Sequence, residues 1–139
     1  MSTIVRLSAD NAGLLADVAD EVFDEPVDAA RLAAYVAARG HFMLLALDGG
    51  KVVAQVAAVI HRHPDKKTEL YIDEVGVAPA YRRQGLARSM LDRMFAIGRA
   101  EGCEEAWVGT EHDNAAARRL YETRGGTTPE PFVMYVYEL

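Results

Sequence analysis

The stretch 70–90, LYIDEVGVAPAYRRQGLARSM, constrains this chain more than any other. An apolar, largely β-branched run through Tyr71, Ile72, Val75 and Val77 stops at Pro79. A basic turn follows, Arg82-Arg83-Gln84-Gly85-Leu86-Ala87, and then Leu86, Met90, Leu91, Met94 and Ile97 fall at helical spacing. Strand, tight turn and helix N-terminus in succession aim consecutive backbone N–H groups at one point, where the helix dipole favours an anion. Gly85 permits close backbone approach and the small Ala87 leaves the next turn uncrowded. Arg82, Arg83 and Arg88 add positive charge. The pattern reads as a pyrophosphate cradle, although the turn alone also fits an ordinary strand-to-helix connection with solvated arginines.

A chain of 139 residues is expected to form one domain, 1–139, with a real core. The formal charge of −6 argues against a general nucleic-acid binder, which needs a basic surface, and permits a cationic substrate. No apolar run is long enough to span a bilayer, and the first residues lack a signal-peptide pattern, so no membrane association and a cytoplasmic location are expected. Cys103, the one cysteine, can make no internal disulfide and has no metal-ligand partner at a useful spacing, so no metal is expected. His61 and His63, in a polar connection, read as surface residues.

In chain order, residues 4–7 read as a short strand. A helix should follow, capped by Ser8 or Asp10, with Leu14, Leu15, Val18, Val22 and Phe23 on one face and Pro26 as its end. A second helix should run over about 28–38, capped by Asp28, with Leu32, Tyr35 and Val36 on one face and Gly40 as its stop. Two apolar runs split by Asp48-Gly49-Gly50 signal a hairpin. The central strand and cradle come next, with a helix over about 84–101, a C-cap at Gly102 and a short strand at AWVGT. Asp113 or Asn114 should cap a further helix through Ala117, Leu120 and Tyr121, closing at Gly125-Gly126. A last alternating strand is expected over 132–138, an edge on which two copies could pair as a homodimer. The sum is a mixed α/β (α+β) domain with a mostly antiparallel sheet.

The second motif is DNAAARRLYETRGG. Asn114 can simply cap its helix. Tyr121 lies two turns further on, so both can face one groove. Its phenol reads either as a core residue with a satisfied hydroxyl or as a proton donor to a leaving thiolate. Together, V-x-V-x-P-x-x-R-R-x-G-x-A and N-x-x-A-x-x-L-Y-x-x-x-G resemble the GNAT superfamily of acyl-CoA-dependent N-acetyltransferases. The element order matches over essentially the whole chain. Ala87 replaces the family's second glycine, and Gly126 stands where an aromatic residue often does.

The resemblance implies a GNAT-like fold, with a twisted, mostly antiparallel sheet of six to seven strands flanked by about four helices, and acetyl-CoA as cofactor. It implies cofactor contacts from Val75, Val77, Arg82, Arg83, Gln84, Gly85, Leu86, Ala87, Arg88, Asn114, Ala117 and Tyr121. Within that set the Val75 amide would polarise the thioester carbonyl, and Tyr121 would be the general acid toward the thiolate. Chemistry asks for the same parts, because an alkylamine is protonated at neutral pH and must lose a proton before it attacks.

Glu74 is the preferred base. Alternation along a strand allows only one of Asp73 and Glu74 to face a given side, and Asp73 reads equally well as exposed or paired to an arginine. Glu111 and His112 stand in reserve. The acceptor is expected to be a small-molecule amine. The segment 17–28 is rich in carboxylates, read either as a solvated helix face or as an acidic wall for a polycation. The layout is also similar to small aminoglycoside 3-N-acetyltransferases, which implies an aminoglycoside acceptor and a place in antibiotic resistance. Asp24, Glu25, Asp28, Asp73, Glu74 and Glu111 are then the candidate acceptor contacts. A protein, peptide or polyamine acceptor, or a non-catalytic acyl-CoA-binding module, is the other reading.

Overall fold

A computed structural model describes residues 2–125 and 128–139. Its mixed α/β class and mostly antiparallel sheet agree with the sequence-based expectation. Five strands form one sheet in the order β1-β2-β3-β4-β5: β1 Thr3–Arg6, β2 His41–Asp48, β3 Lys51–His61, β4 Glu69–Val77 and β5 Glu105–Val108. Only β4 and β5 run parallel. Three α-helices accompany them, α1 Ala29–Ala37, α2 Leu86–Ala100 and α3 Ala115–Glu122. The chain forms two compact units, one up to Gly109 and one from Thr110 onward.

The first unit follows from its apolar pattern. Gly49 and Gly50, at φ +58° and +84°, make the tight hairpin turn between β2 and β3. Both strands are apolar almost throughout because both sheet faces are covered. On one face α2 sinks Met90, Leu91 and Met94 against β2, β3 and β4. Gly98 is needed for that approach, since a Cβ there would meet Leu70 Cδ2 at 2.7 Å. On the other face Leu7, Leu15, Val22, Met43, Leu45 and Ala57 form a second cluster, joined by Leu32 and Tyr35 from α1.

Four expectations are corrected. The first helix is absent: only a 3-10 turn, Ala12–Ala16, forms there. Residues 17–19 instead pair their backbone with the sheet. The Val52 amide donates to Asp17 O at 2.9 Å, the Ala19 amide donates to Val52 O at 2.8 Å, and Val18 bridges Val52. Those bonds replace the helical ladder, and Glu21 at φ +64° breaks the helical path. Three α-helices therefore stand among the described residues where about four were expected. The last strand is absent too, because residues 128–139 carry no regular element. Phe132, Val133, Met134, Tyr135, Val136 and Tyr137 are all more than 60% exposed, and a strand without a ladder partner has nothing to hold it. Five strands thus stand among the described residues where six to seven were expected. Gly125 ends α3's turn at φ +81°, while Gly126 lies outside the described residues.

Candidate active site

β4 carries the centre of the site. Its register with β3 runs from His61↔Glu69 to Ala58↔Ile72, then jumps to Ala57↔Glu74. Asp73 is the extra residue of a β-bulge. Asp73 is exposed and Glu74 half-buried, and of the two only Glu74 lines the cleft described below. Burial pushes up the Tyr35 phenol, and the Asp73 and Glu74 carboxylates add to that rise. Desolvation lifts Asp73 above its ordinary value, while a hydrogen bond from its own backbone and nearby His41 draw it partly back. Glu74 is lifted by desolvation first, then by Asp24 and Asp73.

A cleft of about 390 Å³ opens beside this pair. Its walls include Asp24, Glu25, Asp28, Tyr35 and Glu74, over an apolar floor of Leu7, Leu15 and Met43. Asp24, Glu25 and Asp28 are exposed. Three acidic residues proposed from the sequence as acceptor contacts therefore share one cleft with the proposed base. Asp28 also caps α1, accepting from the Arg31 amide at 2.9 Å.

Two residues that sequence reasoning passed over place this wall. Gln55, fully buried, donates from Nε2 to Val22 O at 3.2 Å. Gly76 lies under the same carbonyl, where a Cβ would stand 2.0 Å from Val22 O. Both carried a signal: a lone amide in the apolar run KVVAQVAAVI needs a partner, and a glycine inside a strand marks a close backbone approach. Tyr35, which donates to Phe42 O at 3.1 Å and packs edge-on against His41 at 5.4 Å, was read only as a helix face.

The cradle residues lie where β4 leads into α2. Gly85, at φ +77°, is the N-cap of α2, and no side chain caps that end. Arg83 also holds a positive φ, +61°. A Cβ on Gly85 would meet nothing within 4 Å, so the turn is open and its left-handed backbone is what calls for glycine. Arg83, Gln84, Gly85 and Arg88 are exposed, with Leu86 and Ala87 half-buried. Arg82 is committed elsewhere. Its Nε donates to Val77 O at 3.0 Å and its Nη2 lies 3.7 Å from Glu21 Oε1, linking turn and acidic segment. Tyr81 donates to the Asp48 carboxylate and anchors the turn to the β2 end.

Pairing between β4 and β5 ends at Ile72↔Val108, whereas β4 continues to Val77. Val75 and Val77 thus lie on the part of β4 that has left β5. An uncapped helix start, an open turn of left-handed residues and an unladdered strand edge suit a long phosphorylated ligand with an amide-bearing arm.

The second unit holds the other motif. Asn114 caps α3, its Oδ1 accepting from the Ala117 amide at 3.1 Å. Tyr121 is half-buried on α3, and burial pushes its phenol up, keeping it protonated at neutral pH. Glu111 and His112 lie exposed before α3, and His112 O accepts from Arg118 Nη1 at 3.0 Å.

Known proteins resemble this chain in sequence and in fold. In a mycothiol acetyltransferase of Beutenbergia cavernae, 75 residues are 37% identical, covering 53% of this chain and 25% of that protein. In the [ribosomal protein bS18]-alanine N-acetyltransferase of Escherichia coli K12, 63 residues are 35% identical, covering 42% of this chain and 43% of that one. The chain thus spans between a quarter and a half of the length of these curated relatives. Among solved structures, an aminoglycoside acetyltransferase from an uncultured soil metagenomic sample superposes with a TM-score of 0.85 at 19% identity, covering 99% of this chain and 96% of that one. The aminoglycoside acetyltransferase AAC(6')-Iy, in complex with a bisubstrate analogue, gives 0.82 at 18%, covering 100% and 99%. At such identities these likenesses speak for the fold. A family profile matches residues 11–126, crossing both motifs, and the chain belongs to the Acetyltransferase (GNAT) family.

Proposed function

We propose that this chain is an acetyl-CoA-dependent N-acetyltransferase acting on a small polycationic amine, an aminoglycoside in the first instance. The cleft that joins Asp24, Glu25 and Asp28 to Glu74 is the observation that carries this reading. Several carboxylates around an apolar floor reward an acceptor with several ammonium groups on a compact ring scaffold.

Acetyl-CoA, when bound, supplies an acetyl group activated as a thioester. The amides at Arg83, Gln84, Gly85, Leu86, Ala87 and Arg88 hold its pyrophosphate, and Arg83 and Arg88 add charge. Val75 and Val77 offer backbone pairing to the pantetheine arm, and the Val75 N–H meets the carbonyl oxygen as charge develops there. Glu74 takes the proton from the attacking ammonium, directly or through water. Its raised pKa makes it a stronger base than a surface glutamate. Asp73 and Tyr35 hold the acceptor side of the bulge. The second unit carries Asn114, Ala117 and Tyr121; by the family resemblance the first two would contact the cofactor, and the Tyr121 phenol, protonated at neutral pH, would give a proton to the departing sulfur.

The curated relatives support a second reading, a protein α-amine acceptor, because one of them is an alanine N-acetyltransferase of a ribosomal protein. Thiol release from acetyl-CoA, measured against aminoglycosides, polyamines and N-terminal peptides, separates the two. Release stimulated by aminoglycosides or polyamines supports the proposal, and mass mapping of the product tests the 3-N position. Release with peptides alone supports the second reading. Acetyl-CoA binding without turnover on any acceptor leaves a binding module.

A further inference from the structure

We propose that His61, His63 and Glu69 form a binding site for one divalent transition-metal ion of the zinc type, at the end of the β3–β4 hairpin. His61 is the last residue of β3 and pairs directly with Glu69, the first of β4. In an antiparallel pair directly opposite residues share a face, and His63, just past the end of β3, brings its ring beside that of His61. Arg62, between the two histidines, acts instead on the Cys103 thiol. The imidazole rings of His61 and His63 lie 4.2 Å apart, and His63 Nε2 stands 2.5 Å from Glu69 Oε1.

One ligand atom from each of the three lies within 4.8 Å of the other two. Around zinc, bonds of about 2.1 Å set neighbouring ligand atoms about 3.4 Å apart, so the widest pair needs to close by no more than about 1.4 Å and the His63–Glu69 pair to open by about 0.9 Å. His61, exposed at the strand end, has the freedom to supply that movement. A His63–Glu69 ion pair alone accounts for two of the residues and leaves the placement of His61 opposite Glu69 without a task. A metal ion uses all three. Two imidazoles and one carboxylate suit Zn²⁺, Ni²⁺ or Cu²⁺ and not Mg²⁺ or Ca²⁺, which take oxygen ligands. Three protein ligands leave a fourth position for water. Bound there, the ion would staple the connection 62–68 across the hairpin.

Calorimetric titration of Zn²⁺ alone into the EDTA-treated full chain tests this. One ion per chain is expected, with affinity falling at least tenfold in both His61→Ala and Glu69→Gln, and unchanged in Cys103→Ser and His112→Ala. His61→Ala is decisive because it removes a ligand and spares the His63–Glu69 pair, and its unfolding midpoint in EDTA should match that of the native chain. Co²⁺ should give a visible absorption band without thiolate charge transfer, and His61→Ala should abolish it. Absence of saturable one-to-one binding, or His61→Ala binding as tightly as the native chain, would overturn the site.

Discussion

Glu74 is held in a state that costs the fold something. Its carboxyl is raised by desolvation and by Asp24 and Asp73, so the ionised form is disfavoured in the native state relative to the unfolded chain. The penalty is present above the raised pKa and vanishes below the ordinary carboxylate range. Glu74→Gln should therefore raise the unfolding midpoint by a few degrees at neutral pH, with the gain shrinking as pH falls through the carboxylate region. The same change should lower kcat roughly a hundredfold above the raised carboxyl pKa, with the loss shrinking as pH falls and Glu74 protonates in the native enzyme, so that the acidic limb set by Glu74 disappears. Thermal unfolding and steady-state rates between pH 5 and 9 check both halves; a profile parallel to the native one would take Glu74 out of the proton transfer. Gly76 argues at the same scale. A Cβ there meets Val22 O at 2.0 Å, and neither backbone can yield without moving the acidic segment. Gly76→Ala should destabilise by about 1–3 kcal/mol and raise the acceptor KM more than the acetyl-CoA KM. Denaturant unfolding with paired KM measurements decides it, and equal stability would mean the segment shifts freely.

At the scale of elements, the turn between β4 and α2 works through backbone conformation rather than side-chain packing. Gly85 faces open space but sits at φ +77°, so a β-branched residue is penalised by strain and by the bulk it sets over the amides. Gly85→Val should cost about 1–2 kcal/mol and abolish measurable acetyl-CoA binding; calorimetry showing retained affinity would mean the ligand's phosphates lie elsewhere. This turn was legible in the sequence because strand, basic glycine turn and helix each carry a local signature. The hairpin at Gly49-Gly50, the Asp28 cap of α1 and the Asn114 cap of α3 were legible for the same reason. Residues 17–28 were not. Their apolar spacing is helical, but Asp17 and Ala19 find backbone partners on Val52, a long-range contact that periodicity does not contain. The bulge at Asp73 was likewise hidden, since register depends on the partner strand as well as on the run itself.

For the whole molecule, sequence and geometry agree most closely where the cofactor motifs lie and least at the tail, whose alternation from Phe132 onward promises a strand that no described ladder receives. The acceptor side was only half legible. The carboxylates of 17–28 were visible as a run, but whether they formed a solvated face or a wall depended on Gln55 and Gly76 holding Val22 in place. In the proposed function this wall, gathered beside Glu74, is what selects a polycationic acceptor. Steady-state kinetics of the combined variant Asp24→Asn, Glu25→Gln, Asp28→Asn test it most directly. Asn at position 28 keeps a good cap for α1, so the variant removes three charges and leaves the fold intact. With an aminoglycoside as acceptor, KM should rise about 10- to 100-fold, as expected for three partly screened ion pairs of roughly 0.5–1 kcal/mol each, while kcat and the acetyl-CoA KM stay within about twofold. An acceptor KM unchanged by the loss of all three carboxylates would contradict it.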